Sequence, residues 1–202
     1  MKALTLFLNK VRLAVPQCPR PIMIAAIRQS AIEFCKLSLT WKEWLDPITI
    51  VSPERAIEIP HPDDARVFKL LDGKYDDEQL AAITPKKAEE DYAGWEIDLE
   101  GDPAVFFMTS TDEVRLAPHP TDGLDLVLYA ALRPTETTTK LPDFLYLDHL
   151  NTIAMGAKAL LMEQINVPWH NPGRAMQGPP SPPRPGAALP VAARTWEAGS
   201  GG

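Results

Sequence analysis

Apolar positions recur at helical spacing towards both ends of the chain and at strand spacing between them. Near the start, Leu4, Phe7, Leu8, Val11 and Val15 fall at steps of three and four, which predicts a short helix that Pro16 and Pro19 close. Arg20-Pro21 restarts the chain. Ile24, Ile27, Ala31, Phe34 and Cys35 then form the apolar stripe of a second helix running to about Leu39, with Arg28, Gln29, Glu33 and Lys36 on its wet face. From Trp41 the period drops to two. Ile48 and Ile50 alternate with Thr49 and Val51, Ile57 and Ile59 flank Glu58, and Val67, Lys69 and Leu71 lead into Asp72-Gly73, a hairpin turn pair. Thr84-Pro85 opens a short polar helix over 86–92. Strands follow at 104–108, 113–117 and 124–132, with turns at 110–112 and 121–123. In the last strand Leu124, Leu126 and Leu128 face one side and Asp125, Val127 and Tyr129 the other. Pro53, Pro60 and Pro62 separate short strands with no room for a crossover helix, which predicts an antiparallel meander.

The helical period returns at 141–172. Pro142 and Asp143 supply a start signal, and Leu147, Leu150, Ala154, Ala157 and Leu161 recur at steps of three and four, predicting one amphipathic helix of about twenty residues. Its middle is small: Ala154, Gly156 and Ala157 would let a second helix approach closely, within the protomer or between neighbours, with Gly156 costing about 1 kcal/mol relative to alanine. Pro168 and Asn171-Pro172 end it. The fold class expected is therefore α+β: a helical bundle frame of two N-terminal helices (1–40) and one long C-terminal helix (141–172), with an inserted antiparallel β-rich module (41–140). Beyond lies an extended proline-rich C-terminal tail (173–202), because GPPSPPRPG at 178–186 cannot enter a helix or a sheet interior. Leu189, Val191 and Trp196 are its sizeable apolar side chains and its expected anchors on a neighbouring surface.

At 202 residues the chain suits one well-buried domain. Its net charge of −7 understates the acidity of the body, since the segment from Asn166 onward holds Arg174, Arg184 and Arg194 against Glu197, leaving −9 before it. Such a body is badly suited to gripping phosphates, which draws on clustered Lys and Arg. It could still line a path through which DNA slides without sticking. Lys2 and the apolar run 3–8 resemble the start of a signal peptide, but Asn9, Lys10 and Arg12 cut the run short and no small-residue cleavage site follows. No apolar run is long enough to span a membrane, and no membrane partner is expected.

Candidate chemistry is sparse. Cys18 and Cys35 lack metal spacing and read as two reduced thiols, with one bridge between them as the alternative. His61 beside Asp63 and Asp64, and His119 between Pro118 and Pro120, read as turn residues in preference to metal ligands. Asp148 and His149 would point about 100° apart on a helix and cannot form a dyad, so His149 reads as a surface histidine. No phosphate loop, nucleophile elbow or dinucleotide motif occurs, so no catalytic residue, metal or cofactor is expected. Among Trp41, Trp44, Trp95, Trp169 and Trp196, Trp169 is the most interface-like, held between Pro168 and Pro172 where the helix ends.

The order of a short helix, Cys18-Pro19, a helix carrying AIEFC at 31–35, an antiparallel insertion with EVRLAPHP at 113–120, then LPDFL at 141–145, Gly156-Ala157 and an exit at PWHNP (168–172) resembles the adaptor proteins of tailed-bacteriophage head-to-tail connectors, of the tail tubular A or head-completion type. The resemblance covers about residues 4–172. It implies a virion structural protein made in the host cytoplasm. Copies would form a homo-oligomeric ring, usually of twelve, beneath the portal protein, bridging it to a tail or nozzle protein around a DNA channel without specific DNA binding. In such relatives the chain after the exit commonly continues as a polar helix, where this one becomes proline-rich. Two alternatives stand beside this reading: a small enzyme with a cleft between the β module and the helices, and another neck or minor tail component of a virion.

Overall fold

The computed structural model describes residues 1–50, 56–92, 94, 100–121 and 123–175. The N-terminal amphipathic segment folds as a two-residue strand β1 (Lys2–Ala3), a 3-10 turn (Leu4–Phe7) and α1 (Leu8–Arg12), and all five apolar positions of its stripe are buried. α2 (Arg20–Ser38) starts with a proline in its first turn, where the missing N–H costs nothing. It stops where Leu39 takes a left-handed conformation (φ 49°) and returns its N–H to the Cys35 carbonyl at 3.0 Å. Ile27, Ala31, Phe34 and Cys35 face the core, and Ile24 is half-buried beside them.

The middle of the chain forms β2 (Lys42–Trp44), β3 (Ile48–Thr49), β4 (Ile57–Glu58), β5 (Ala65–Tyr75), β6 (Glu78–Ala82), α3 (Pro85–Asp91), β7 (Val105–Ser110), β8 (Glu113–Ala117) and β9 (Asp125–Pro134). The strands pair in the order β2-β9-β5-β6-β7-β8-β4, with β3 also on β9. Two features differ from an antiparallel meander. β9 returns to lie between β2 and β5. β6 and β7 run parallel, through Ala81 with Val105 and Ala82 with Phe106. The physical reason is the connection between them, which carries α3 and is long enough for a crossover. The sheet is therefore mixed.

The hairpin turn also lies elsewhere than the sequence suggests. Asp72 and Gly73 sit inside β5, and the chain reverses at Asp76 (φ 46°) and Asp77 (φ 64°), the paired left-handed conformation of a two-residue turn joining strands. Gly73 serves packing: a Cβ there would stand 2.9 Å from Phe106 Cε1. Phe106 points into the main core with Leu126, Leu128 and Leu132, whereas Val105 and Phe107 lie in a small separate cluster beneath Ala88 of α3. Thr84 caps α3, its hydroxyl accepting from the Lys87 N–H at 3.3 Å.

After β9, β10 (Lys140–Leu141) pairs with β1, joining the start of the chain to the C-terminal helices. The single long helix expected here is two helices, α4 (Asp143–Leu147) and α5 (Leu150–Met162). His149 breaks it, adopting φ −121° and ψ 9° while its carbonyl accepts the first bond of α5. Its ring sits 4.8 Å from Phe34 and 6.4 Å from Phe144, so it is a half-buried wedge and not a surface histidine. Leu147, counted on the apolar stripe by spacing, is left 69% exposed by the break. Pro172–Ala175 form a last helical turn, α6, with Ala175 buried on α5, so the packed body extends three residues beyond the expected start of the tail. Trp95 lies outside the described residues, as do Leu189, Val191 and Trp196 and the rest of the segment from Met176 onward.

Candidate interaction interface

Gly156 of α5 faces α2 of the same chain. Ala154 and Ala157 are buried, and a Cβ at Gly156 would collide with Ser30 Oγ. Ser30 lies one turn from Ile27 and Phe34 on the buried side of α2, and its hydroxyl donates to the Ile153 carbonyl at 2.8 Å. A buried hydroxyl is tolerated when it is hydrogen-bonded, and this one joins two helices whose backbones Gly156 lets approach. Sequence periodicity passed over Ser30 because it is polar; its place on the apolar stripe was the available signal.

The rest of α5 is unusually apolar for a helix that is only partly covered. Among its 13 residues Lys158 is the one charge, and Thr152, Met155 and Ala159, spaced along one flank, are half-buried. On the outer side of the first helical segment Leu6 and Leu13 stand seven residues apart, Leu13 being 86% exposed. Trp169 is half-buried against the chain's own core, and its Nε1 donates to Gln164 Oε1 at 3.2 Å. Trp44 is the exposed tryptophan among those described, its ring 4.9 Å from Tyr129 and beneath Lys74 Nζ at 5.5 Å. Trp41 is buried, donating to Glu43.

Polar side chains between elements tie the structure together. The buried Thr138 hydroxyl stands 2.8 Å from Asp64 Oδ1, and the Thr138 carbonyl accepts from Arg28 Nε at 2.8 Å, so α2, the loop before β5 and the loop before β10 meet there. Asp64 is thus a structural acceptor. Arg66 of β5 reaches Asp112, in the turn between β7 and β8, at 3.0 Å.

None of these arrangements resembles acid–base catalysis. The Glu113 carboxyl is held below its ordinary range by hydrogen bonds from Thr109 and Arg115, and that of Glu136 by Arg133; a lowered pKa makes each a weaker base, opposite to what proton abstraction requires. Burial pushes the Cys35 thiol up to about 12 and raises that of Cys18, so both are poor nucleophiles, and neither is bonded to another cysteine. Among the described residues no group of three or more His, Cys, Asp and Glu is placed to hold a metal ion, and no helix is long and apolar enough to cross a membrane.

No curated protein matches the chain. A protein-family model does: that of the SU10 adaptor protein, over residues 2–164, from β1 through the end of α5. This match spans the N-terminal helices, the whole sheet and α5, and on it the chain belongs to the SU10 adaptor protein family, in keeping with the head-to-tail adaptor resemblance of its sequence.

Proposed function

We propose that the protein is a structural component of a tailed-bacteriophage virion: an adaptor whose copies form a ring, usually of twelve, that docks on the portal protein, carries the tail or nozzle protein and surrounds the path of the DNA. The observation that carries this reading is the family match over residues 2–164. In this reading the helices of 1–40 and 141–172 act as the frame, and 41–140 as a module inserted into it. Because Ala154 and Ala157 are buried and Gly156 packs on Ser30 of α2, contacts between copies fall to the half-buried flank of α5 at Thr152, Met155 and Ala159 and to Leu6 and Leu13. The net charge of −7 keeps DNA moving past the ring without specific binding.

The segment from Met176 onward has a separate role in this proposal. Fixing a chain in place costs on the order of 1–2 kcal/mol per residue, and proline lowers that cost because its φ is already set. Leu189, Val191 and Trp196 anchor the segment on a neighbouring copy or on the portal, with Trp169 close to its point of departure. Truncation after Ala175 is expected to leave the melting temperature of the isolated protein nearly unchanged and to weaken its incorporation into connectors in an assembly assay. Normal incorporation by the truncated chain would remove this role. The cut belongs after Ala175, because Ala175 is part of the core.

A further inference from the structure

The sheet is split beside β6. β6 pairs with β5 only from Gly73 to Tyr75, and with β7 only at Ala81 and Ala82, before the chain leaves at Thr84 into α3. Between β5 and β7 this opens a groove of about 440 Å³ with an apolar floor of Leu70, Ile83, Phe106 and Met108. The far end is braced by the Arg66–Asp112 ion pair. Strand edges face the opening. The Phe106 carbonyl accepts from the Ile83 N–H at 3.0 Å, so by strand alternation Met108 directs its own backbone groups to the same side, past the point where β6 ends. On the other bank β5 carries a bulge at Phe68, which has no partner in the pairing with β9 and is 40% exposed.

Charge identifies the occupant. Among the described residues lining the groove, Lys69 and Lys87 are the charged ones, in a chain of net charge −7, and Lys87 stands 3.9 Å from an exposed Asp91. The chain's own segment beyond Gly173 bears Arg174, Arg184 and Arg194 against Glu197, the wrong sign for two lysines. We propose that this groove receives a short extended segment of a partner protein, with apolar side chains on the floor, carboxylates on Lys69 and Lys87, and main-chain bonds to the free edge of β7 at Met108. Adding a strand to an exposed edge supplies affinity through the backbone, and the pocket and charges supply selectivity. The groove lies apart from the α5 flank assigned above to contacts between copies.

The test uses the full chain and blocked five-residue peptides, titrated by calorimetry with light scattering on the same samples. An acid-ended peptide, Asp-Ile-Val-Ile-Glu, is expected to bind saturably and the lysine-ended Lys-Ile-Val-Ile-Lys not to bind. The double variant Lys69→Glu, Lys87→Glu, both at exposed positions, is expected to weaken the acidic peptide by about tenfold or more with an unchanged melting temperature. Equal binding of the two peptides, no saturation by either, or unaltered affinity in the variant would overturn the proposal. So would binding by a peptide of residues 187–197, which would make the occupant the chain's own C-terminal segment. Dissolution of a self-associated form by the acidic peptide would make it a second copy. That last outcome aside, none of these results bears on ring formation, which is measured separately with the portal.

Discussion

Phe106→Ala is expected to destabilise the protein by about 3–5 kcal/mol, the range for deleting a buried aromatic ring from a packed core. Phe106 is 1% exposed, stands in the parallel β6–β7 pairing opposite Ala82, and covers Gly73 of β5. Its removal leaves a hollow bounded by backbone on one side, which cannot collapse as a side chain would. The partner substitution sharpens the test. Gly73→Ala places a Cβ 2.9 Å from Phe106 Cε1 and 3.3 Å from Leu128 Cδ2, a crowding that costs about 1–3 kcal/mol. With Phe106→Ala already made, the added methyl has space, so the double variant should be less unstable than the two losses combined. Urea unfolding of the four proteins measures this. Additive losses would show that Phe106 and Gly73 are not in contact.

The second large effect is at the seam of α2 and α5. Gly156→Leu is expected to cost about 3 kcal/mol by overpacking, because its Cβ falls on Ser30 Oγ and displaces a hydroxyl bonded to the Ile153 carbonyl. Gly156→Ala is subtler. Alanine is the better helix former by about 1 kcal/mol, yet a lost buried hydrogen bond costs about as much, so in the native background the two nearly cancel. In a Ser30→Ala background the collision is gone and the helix preference alone remains, so Gly156→Ala should there stabilise. Thermal unfolding in both backgrounds distinguishes the cases: an equal effect in each would place Gly156 away from Ser30.

Both seams show what local sequence reveals and what it hides. Amphipathic periodicity found α2 nearly to the residue, and within the small cluster Gly156 stands at a helix contact whose partner the spacing could not name. Glu113–Ala117 stood out as a strand because alternation is a property of neighbours in sequence. The parallel β6–β7 pairing was illegible, being a relation between residues more than twenty positions apart. Asp72-Gly73 carries a stronger turn signature than Asp76-Asp77, yet the glycine is spent on admitting Phe106, and two aspartates accept the left-handed conformation of the turn. The break at His149 was hidden for a different reason: no proline or glycine marks it, and the ring contacts with Phe34 and Phe144 that accompany it are tertiary.

The interaction surfaces were less legible than the fold. Spacing identified a candidate contact on α5, within the protomer or between neighbours; Gly156 packs on Ser30 of the same chain, and the half-buried flank at Thr152, Met155 and Ala159 becomes visible only beside that contact. Charge was no guide to the groove: in an acidic chain, the two lysines that rim the opening between β5 and β7 make a contrast that composition averages away.

The most direct measurement of the proposed role is the mass of the assembled protein, alone and with the portal protein of the same virus, by native mass spectrometry. The adaptor reading predicts a discrete complex in which many copies of this chain join the portal ring at fixed stoichiometry. A chain that stays monomeric and is indifferent to the portal would contradict it.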